Sequence, residues 1–444
     1  MNNRNGRTRI GSIITTLFLI CILIISFNIF KKYYFNGFEK AVAKQQEETK
    51  FIRDSKTKYS QHKSYKIENV EYNDAAIYKE IEVEPYTPYK ISCMVKTDDV
   101  KCETEKNDGG VVIGLLETTE YSEPIVGTND WQKIEFMFNS KNREKVKISF
   151  RIGGNDNNCK GTAWFSDFKV EKGTKNTDSQ WNIGCFIIKN IDTNINGKQY
   201  TLRTNAEDVE NVKLNMKRFK ETCNRLSDEK ITINYEITQI DTTITTISYS
   251  EEHGYYISYN DVKNLIYDTV KEKEYDHVFI VCRMEDDTGD VSIPIYNNWI
   301  GLGGMDIYGI GLSLIRINQK ANSYIYKYGI TNQLPEEVYI HEFLHTLERN
   351  NIENGYKTPS LHDYEKFGYT EQRVDGLNKW YGDYMKCKII DSITQEHIGL
   401  DESVYKTQPP NSSNFQYPID IEFNVEPKNI IEEIFLIFDV LLKR

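Results

Sequence analysis

Histidine is scarce in this chain, 7 among 444 residues, and no two cysteines stand in Cys-x-x-Cys spacing, which argues against a cysteine zinc cluster. Basic residues do not exceed acidic ones: 55 Lys and Arg face 66 Asp and Glu, a net charge of −11. A phosphate backbone needs clustered cations, so nucleic acid is not an expected partner. Glycines at 301, 303, 304, 309 and 311 are followed by no lysine in Walker spacing and sit in no strand-turn-helix context, which sets nucleotide binding aside. They read instead as a turn leading into a strand from Ile310 to Ile317. Eight cysteines are too few for a disulfide scaffold at this length. Cys21 lies in an apolar run, and the seven that remain are an odd number, so at least one thiol is free or pairs with another chain. Cys93 and Cys102 are spaced to close a short loop, with buried reduced cysteines as the equal alternative.

What is present is a folded composition, 39% hydrophobic and 12% aromatic with 30 tyrosines, in a chain long enough for two or three domains. After Arg4, Arg7 and Arg9, the 21 residues from Ile10 to Phe30 carry no charge. At about 1.5 Å per residue they span a bilayer core. The run is longer than a cleavable signal core and no small-x-small site follows it, so residues 1–32 read as a signal-anchor transmembrane helix. Cleavage would make the protein secreted. The basic flank leans toward a cytoplasmic N-terminus, which puts the protein at the cell membrane, single-pass, with the rest of the chain extracellular. Residues 33–62 are charge-mixed and read as a stalk.

Residues 63–175 alternate apolar and polar positions in short strands separated by turns, the pattern of an antiparallel sandwich. The succession of Ala76, Ile81, Val83, Pro85, Tyr89, Ser92, Trp131, Phe136, Gly161, Trp164, Phe165, Asp167 and Val170 resembles the jelly-roll carbohydrate-binding modules of families four and nine. That resemblance implies a glycan ligand and a structural calcium, with Asp167 as candidate ligand; related sandwiches also act as spacers. Trp131 and Trp164 are candidate sugar platforms, although a tryptophan in an alternating strand is more often core.

Residues 180–404 mix helix and strand patterns, as in a sheet covered by helices. Here stands Tyr339-Ile-His-Glu-Phe-Leu-His345. Pro335, Glu336 and Glu337 suit a helix start. On that helix Ile340, Leu344 and Leu347 share one face, while His341 and His345 share a neighbouring one. The His-Glu-x-x-His motif resembles that of the zincin metallopeptidases, which implies zinc on His341 and His345 and Glu342 as general base. The compact metzincin pattern places glycine and histidine where this chain has Glu348 and Asn351. Glu348 is expected to prolong the helix and to hydrogen-bond near the metal.

Asn350, Asn351, Asn354, Gly355 and Pro359 then turn the chain. His362 follows His345 by 17 positions, as in the leishmanolysin-like metzincins with an insertion before their third histidine. The alternative is Glu365, in the manner of enhancin-like peptidases. Met385 falls where a metzincin Met-turn would lie, and Tyr369, Tyr381 and Tyr384 are candidate oxyanion stabilisers. The tail, 405–444, reads as a linker and an apolar helix too short to span a bilayer. The whole is expected to be multidomain: an N-terminal transmembrane helix, an all-β jelly-roll sandwich and an α+β zincin-like metallopeptidase domain. It would hydrolyse glycoproteins or cell-wall-associated proteins; a non-enzymatic carbohydrate-binding surface adhesin is the alternative.

Overall fold

The structure is a computed structural model describing residues 38–43, 48–61, 63–104, 109–116, 118–154, 157–286, 292–294, 299–317, 335–370, 377–411 and 415–419. The expected transmembrane segment and the apolar C-terminal stretch lie outside the described residues. Among those described, no helix is long and apolar enough to cross a membrane.

Strands β1 (Glu39–Val42), β2 (Thr49–Asp54), β3 (Ser64–Asn73), β4 (Ala75–Glu82), β5 (Pro88–Cys102), β6 (Gly110–Leu115), β7 (Gly127–Asn139), β8 (Lys145–Gly153) and β9 (Cys159–Gly173) come first. They make two antiparallel sheets, β1-β4-β8-β6 and β2-β3-β9-β5-β7. Alternate residues of β5 (Tyr89, Ile91, Cys93, Val95) and of β8 (Ile148, Phe150, Ile152) are buried in a shared core. Each sheet is apolar on that face, and stacking the two removes both faces from water. The expected stalk is therefore corrected: β1 and β2 fall within 33–62, and β2 pairs with β3 from Thr49↔Asn69 to Asp54↔Ser64. Their few apolar side chains, Phe38 and Phe51 among them, reach the sandwich core, a signal hidden by the surrounding charges.

Cysteine pairing also departs from expectation. Cys102 and Cys159 are cross-strand neighbours on β5 and β9 and form a disulfide. Cys93 points into the core and is a free, buried thiol.

The second domain contains β10 (Gln180–Ile188), a hairpin β11 (Asn190–Ile195) and β12 (Lys198–Arg203), α1 (Ala206–Leu226), β13 (Thr232–Ile240), a hairpin β14 (Ser248–Ser250) and β15 (Gly254–Tyr256), α2 (Tyr259–Lys273), β16 (His277–Arg283), β17 (Gly301–Ile307) and β18 (Ile310–Ile317). The helix α3 (Glu337–Glu353), a 3-10 turn (Leu361–Phe367), α4 (Asn378–Met385), β19 (Ile389–Ile390) and β20 (His397–Ile398) complete it, and β21 (Phe415–Ile419) comes after it. The main sheet runs β13-β10-β16-β18-β17. Its first four strands are parallel and β17 is antiparallel to β18.

Both faces are covered. Ile183, Cys185, Phe279, Val281 and Ile315 pack with α1, α3 and α4. Phe186, Val278, Ile280 and Leu314 pack on the other side with α2. The α+β expectation is thus refined to a mainly parallel sheet between helical layers, because strand and helix alternate along the chain. Gly309, at φ +96°, sits in the turn that leads into β18 as expected, whereas Gly301, Gly303 and Gly304 lie in β17 itself, which has a bulge between Leu302 and Met305. Ile310–Ile317 lies inside the sheet, and β17 is its edge among the described residues.

The tail also differs from a linker, since β21 pairs with β9 of the sandwich. Sandwich and second domain touch at the end of α3. Lys141 forms an ion pair with Glu353, and Asn142 hydrogen-bonds both the side chain and the backbone carbonyl of Asn354. The Asn139 amide donates to the carbonyls of Lys406 and Gln408, each at 3.1 Å.

Candidate metal centre

The helix α3 buries Ile340, Leu344 and Leu347 fully against the sheet. That orientation fixes where the neighbouring face points. The rings of His341 and His345 meet edge to face with centroids 4.8 Å apart, and their Nε2 atoms lie 3.2 Å apart. After α3 the chain turns at Gly355, whose φ of +80° is a backbone state few other residues adopt, and returns as the 3-10 turn. The His362 ring then stands 4.8 Å from that of His341 and 5.2 Å from that of His345. One ligand atom from each of the three lies within 4.8 Å of the others, and this is the one such donor group of three among the described residues.

His341 and His345 have the spacing of two ligands on a zinc-sized cation, and His362 lies close enough to be the third. Four nitrogens at about 2.0–2.1 Å from zinc are separated by roughly 3.3 Å in a tetrahedron, close to the spacing of the two Nε2 atoms. Two facing imidazole nitrogens with no cation between them must share a proton or repel. Burial, then the neighbouring His345 and His362, push His341 down to about 3, which keeps it in the neutral form a metal needs. Burial also opposes charge on His345, but the bond to Glu348 and the charges of Glu342 and Glu348 outweigh it and raise its pKa.

Glu342 lies beside the trio and is buried, and burial pushes its carboxyl up to about 7. The strand β17 closes over it. A Cβ at Gly301 would come within 2.3 Å of Glu342 Oε1, and one at Gly303 within 2.6 Å of Oε2. Those glycines are needed for close approach, a role the sequence reading missed by treating them as turn residues. Their recurrence just before the motif helix was the available signal.

The surrounding partners are specific. Glu348 Oε2 is 2.9 Å from His345 Nδ1, the hydrogen bond expected of that residue. Tyr381 Oη is 3.3 Å from His341 Nδ1. Other candidates stand elsewhere. Glu365 is exposed and outside the trio. Asp363 pairs with Lys366. Tyr384 is fully buried and donates to Glu348 and to the Pro359 carbonyl, so it does not face a substrate oxygen. Tyr369 donates to Asp383 at 2.8 Å. Met385 ends α4 inside the core with Leu400 and Tyr405.

In the sandwich, Asp167 sits at φ +55° with Lys169 at 3.9 Å, and among the described residues no group of three His, Cys, Asp or Glu donors includes it. Trp131 and Trp164 are not core residues. Trp131 meets the exposed Tyr59 at 5.8 Å, and Trp164 donates to Asp54 at 2.9 Å beneath the Lys66 ammonium.

No family model matches the chain. It is 33% identical over 103 residues to the tRNA(Glu)-specific nuclease WapA of Bacillus subtilis subsp. natto, and 32% identical to the tRNA nuclease WapA of Bacillus subtilis strain 168. Those alignments cover 21% of this chain, and the chain spans 4% of the length of each relative. Among solved structures, TmCBM61 in complex with β-1,4-galactotriose is 16% identical, covering 32% of this chain and 92% of that one, at a TM-score of 0.22. A family 4 carbohydrate-binding module is 15% identical over 32% of this chain and 97% of that one, also at a TM-score of 0.22. The two-sheet sandwich itself rests on the strand pairing described above.

Proposed function

We propose that the chain is a zinc-dependent endopeptidase acting at the cell surface on glycoproteins or cell-wall-associated proteins. The observation that carries the reading is the convergence of three imidazoles beside a buried carboxylate that burial holds near neutrality. His341, His345 and His362 would hold the metal. When bound, zinc would acidify a water and polarise the scissile carbonyl. Glu342, poised near the working pH, would take that water's proton and deliver it to the leaving amine. Among the described residues β17 is the edge strand and runs past Glu342, so an extended peptide could add to the sheet beside the base. The location is supported by the uncharged run Ile10–Phe30 and by the disulfide, which persists in oxidising compartments.

Elemental analysis and a peptide-hydrolysis assay on the purified chain test this. One zinc per chain and an activity that Glu342→Ala lowers about 10²–10⁴-fold are expected. Absence of zinc, or proteolysis indifferent to Glu342→Ala, overturns it.

A second reading, a carbohydrate-binding surface adhesin with a peptidase-like domain that does no chemistry, is favoured by the placement of Trp131 and Trp164 outside the sandwich core. A glycan array decides it. Binding that Trp131→Ala or Trp164→Ala abolishes, with no hydrolysis, supports the adhesin.

A further inference from the structure

Glu348 occupies the position three residues past His345, and its carboxylate makes three contacts at once. Oε2 takes the Nδ1 side of His345 at 2.9 Å. Oε1 accepts from the Leu361 backbone N–H at 3.0 Å and from the Tyr384 hydroxyl at 3.3 Å. Leu361 begins the 3-10 turn and directly precedes His362. The turn is held from behind as well, since Trp380 Nε1 donates to the Leu361 carbonyl at 3.1 Å and Leu361 is buried in the core.

We infer that Glu348 is a positioning residue for the metal site, holding two of its three imidazoles in one arrangement. This rests on the metal-binding reading of the three histidines. The compact motif brings its third ligand back through a glycine bend; here the helix continues, and a carboxylate on its next turn fastens the returning loop. An ionised carboxylate only accepts hydrogen bonds. Facing His345 it selects the tautomer with hydrogen on Nδ1, which leaves the Nε2 lone pair directed at His341 and the site between them. Facing Leu361 it fixes the start of the turn that presents His362.

Glutamine has the same shape but one donor end, and it cannot serve both sides. With its oxygen kept on Leu361 and Tyr384, its amino group meets His345 Nδ1 and drives the ring hydrogen to Nε2, where it blocks coordination. Flipped, its amino group opposes the Leu361 N–H.

Competition with a chromophoric chelator measures zinc affinity of the purified full chain, and Glu348→Gln is expected to weaken it about 10- to 100-fold while retaining the wild-type circular dichroism. Tyr384→Phe removes one donor to Glu348 and leaves the other two contacts, so its zinc affinity is expected to stay near that of wild type. An unchanged affinity in Glu348→Gln overturns the inference. Nitrogen NMR of labelled imidazoles in the metal-free wild type gives a reading that needs no variant. For the neutral His345 ring, hydrogen on Nδ1 is expected; hydrogen on Nε2 in place of Nδ1 overturns the inference. If the wild type binds no zinc, the proposed function fails, while the tautomer still reports separately on Glu348.

Discussion

At Gly301 the absence of a side chain has a chemical reason, because a Cβ there would lie 2.3 Å from Glu342 Oε1 and 2.6 Å from its Cγ. The three nearest atoms all belong to Glu342. Gly301→Ala is therefore expected to displace the base without touching the histidines. A displacement of order 1 Å costs roughly 10²-fold in turnover, so kcat/KM should fall by about that factor while zinc content stays at one per chain. A second pair of residues behind α3 sets a pH response. Burial pushes Asp276 up to about 8 from 3.8, and its Oδ2 accepts from the Asn182 N–H at 2.7 Å. The folded state thus keeps a proton that the unfolded state gives up. That stability is fully present below pH 3.8 and is lost as the pH rises toward 8. Burial moves the neighbouring His277 the other way, from 6.5 down to about 3. Its contribution is present above 6.5 and is lost as the pH falls from there. Asp276→Asn keeps the acceptor and removes the titration. Thermal melts between about pH 6.5 and pH 8, where the His277 contribution is constant, should show a flatter decline than wild type, and an unchanged slope would count against a protonated Asp276.

Among elements, α3 shows how much local pattern settles and where it stops. Ile340, Leu344 and Leu347 recur at helical spacing, and that spacing alone buries one face and turns His341 and His345 together. The return of His362 depends on contacts between elements: Glu348 to Leu361, Trp380 to the Leu361 carbonyl, and Tyr384 to the Pro359 carbonyl. None has a fixed sequence offset, so spacing left His362 and Glu365 both open. The glycine strand was misread for a related reason. Glycine normally weakens a strand; the proximity of Glu342 explains Gly301 and Gly303, and the positive φ of +76° at the bulge explains Gly304. In the sandwich, the Cys102–Cys159 disulfide joins β5 to β9 across a separation of 57 residues. Replacing both cysteines with alanine should lower stability by about 2–4 kcal/mol. Denaturant unfolding followed in the sandwich checks it, and a loss confined to the second domain would place the constraint elsewhere.

The whole molecule is less modular than its sequence suggests. Strands from before and after the second domain complete the sandwich, since β21 pairs with β9. The sandwich in turn serves the second domain, because Asn142 bonds Asn354 at the C-cap of the helix that carries the motif. A free helix end leaves carbonyls for water or side chains to satisfy. Asn142→Ala deletes the side-chain donor to the Asn354 carbonyl and is expected to cost about 1 kcal/mol. The loss should appear as a lower melting temperature of the second domain. A shift seen only in the sandwich would mean that the contact does not support the helix.

The sequence by itself determined the alternating strands of the sandwich, the burial of one face of α3 and the pairing of His341 with His345 around Glu342. Each of those follows from periodicity within a single element, which the chain carries locally. Tertiary structure decided the strands hidden in the stalk, the Cys102–Cys159 partnership, the outward placement of Trp131 and Trp164, and which strand forms the sheet edge. It also decided that Tyr384 backs Glu348 instead of facing a substrate, and that His362 joins the other two imidazoles. These depend on which surfaces meet across long stretches of chain, where burial of apolar area and the pairing of buried polar groups select the partner and residue spacing carries no record of it.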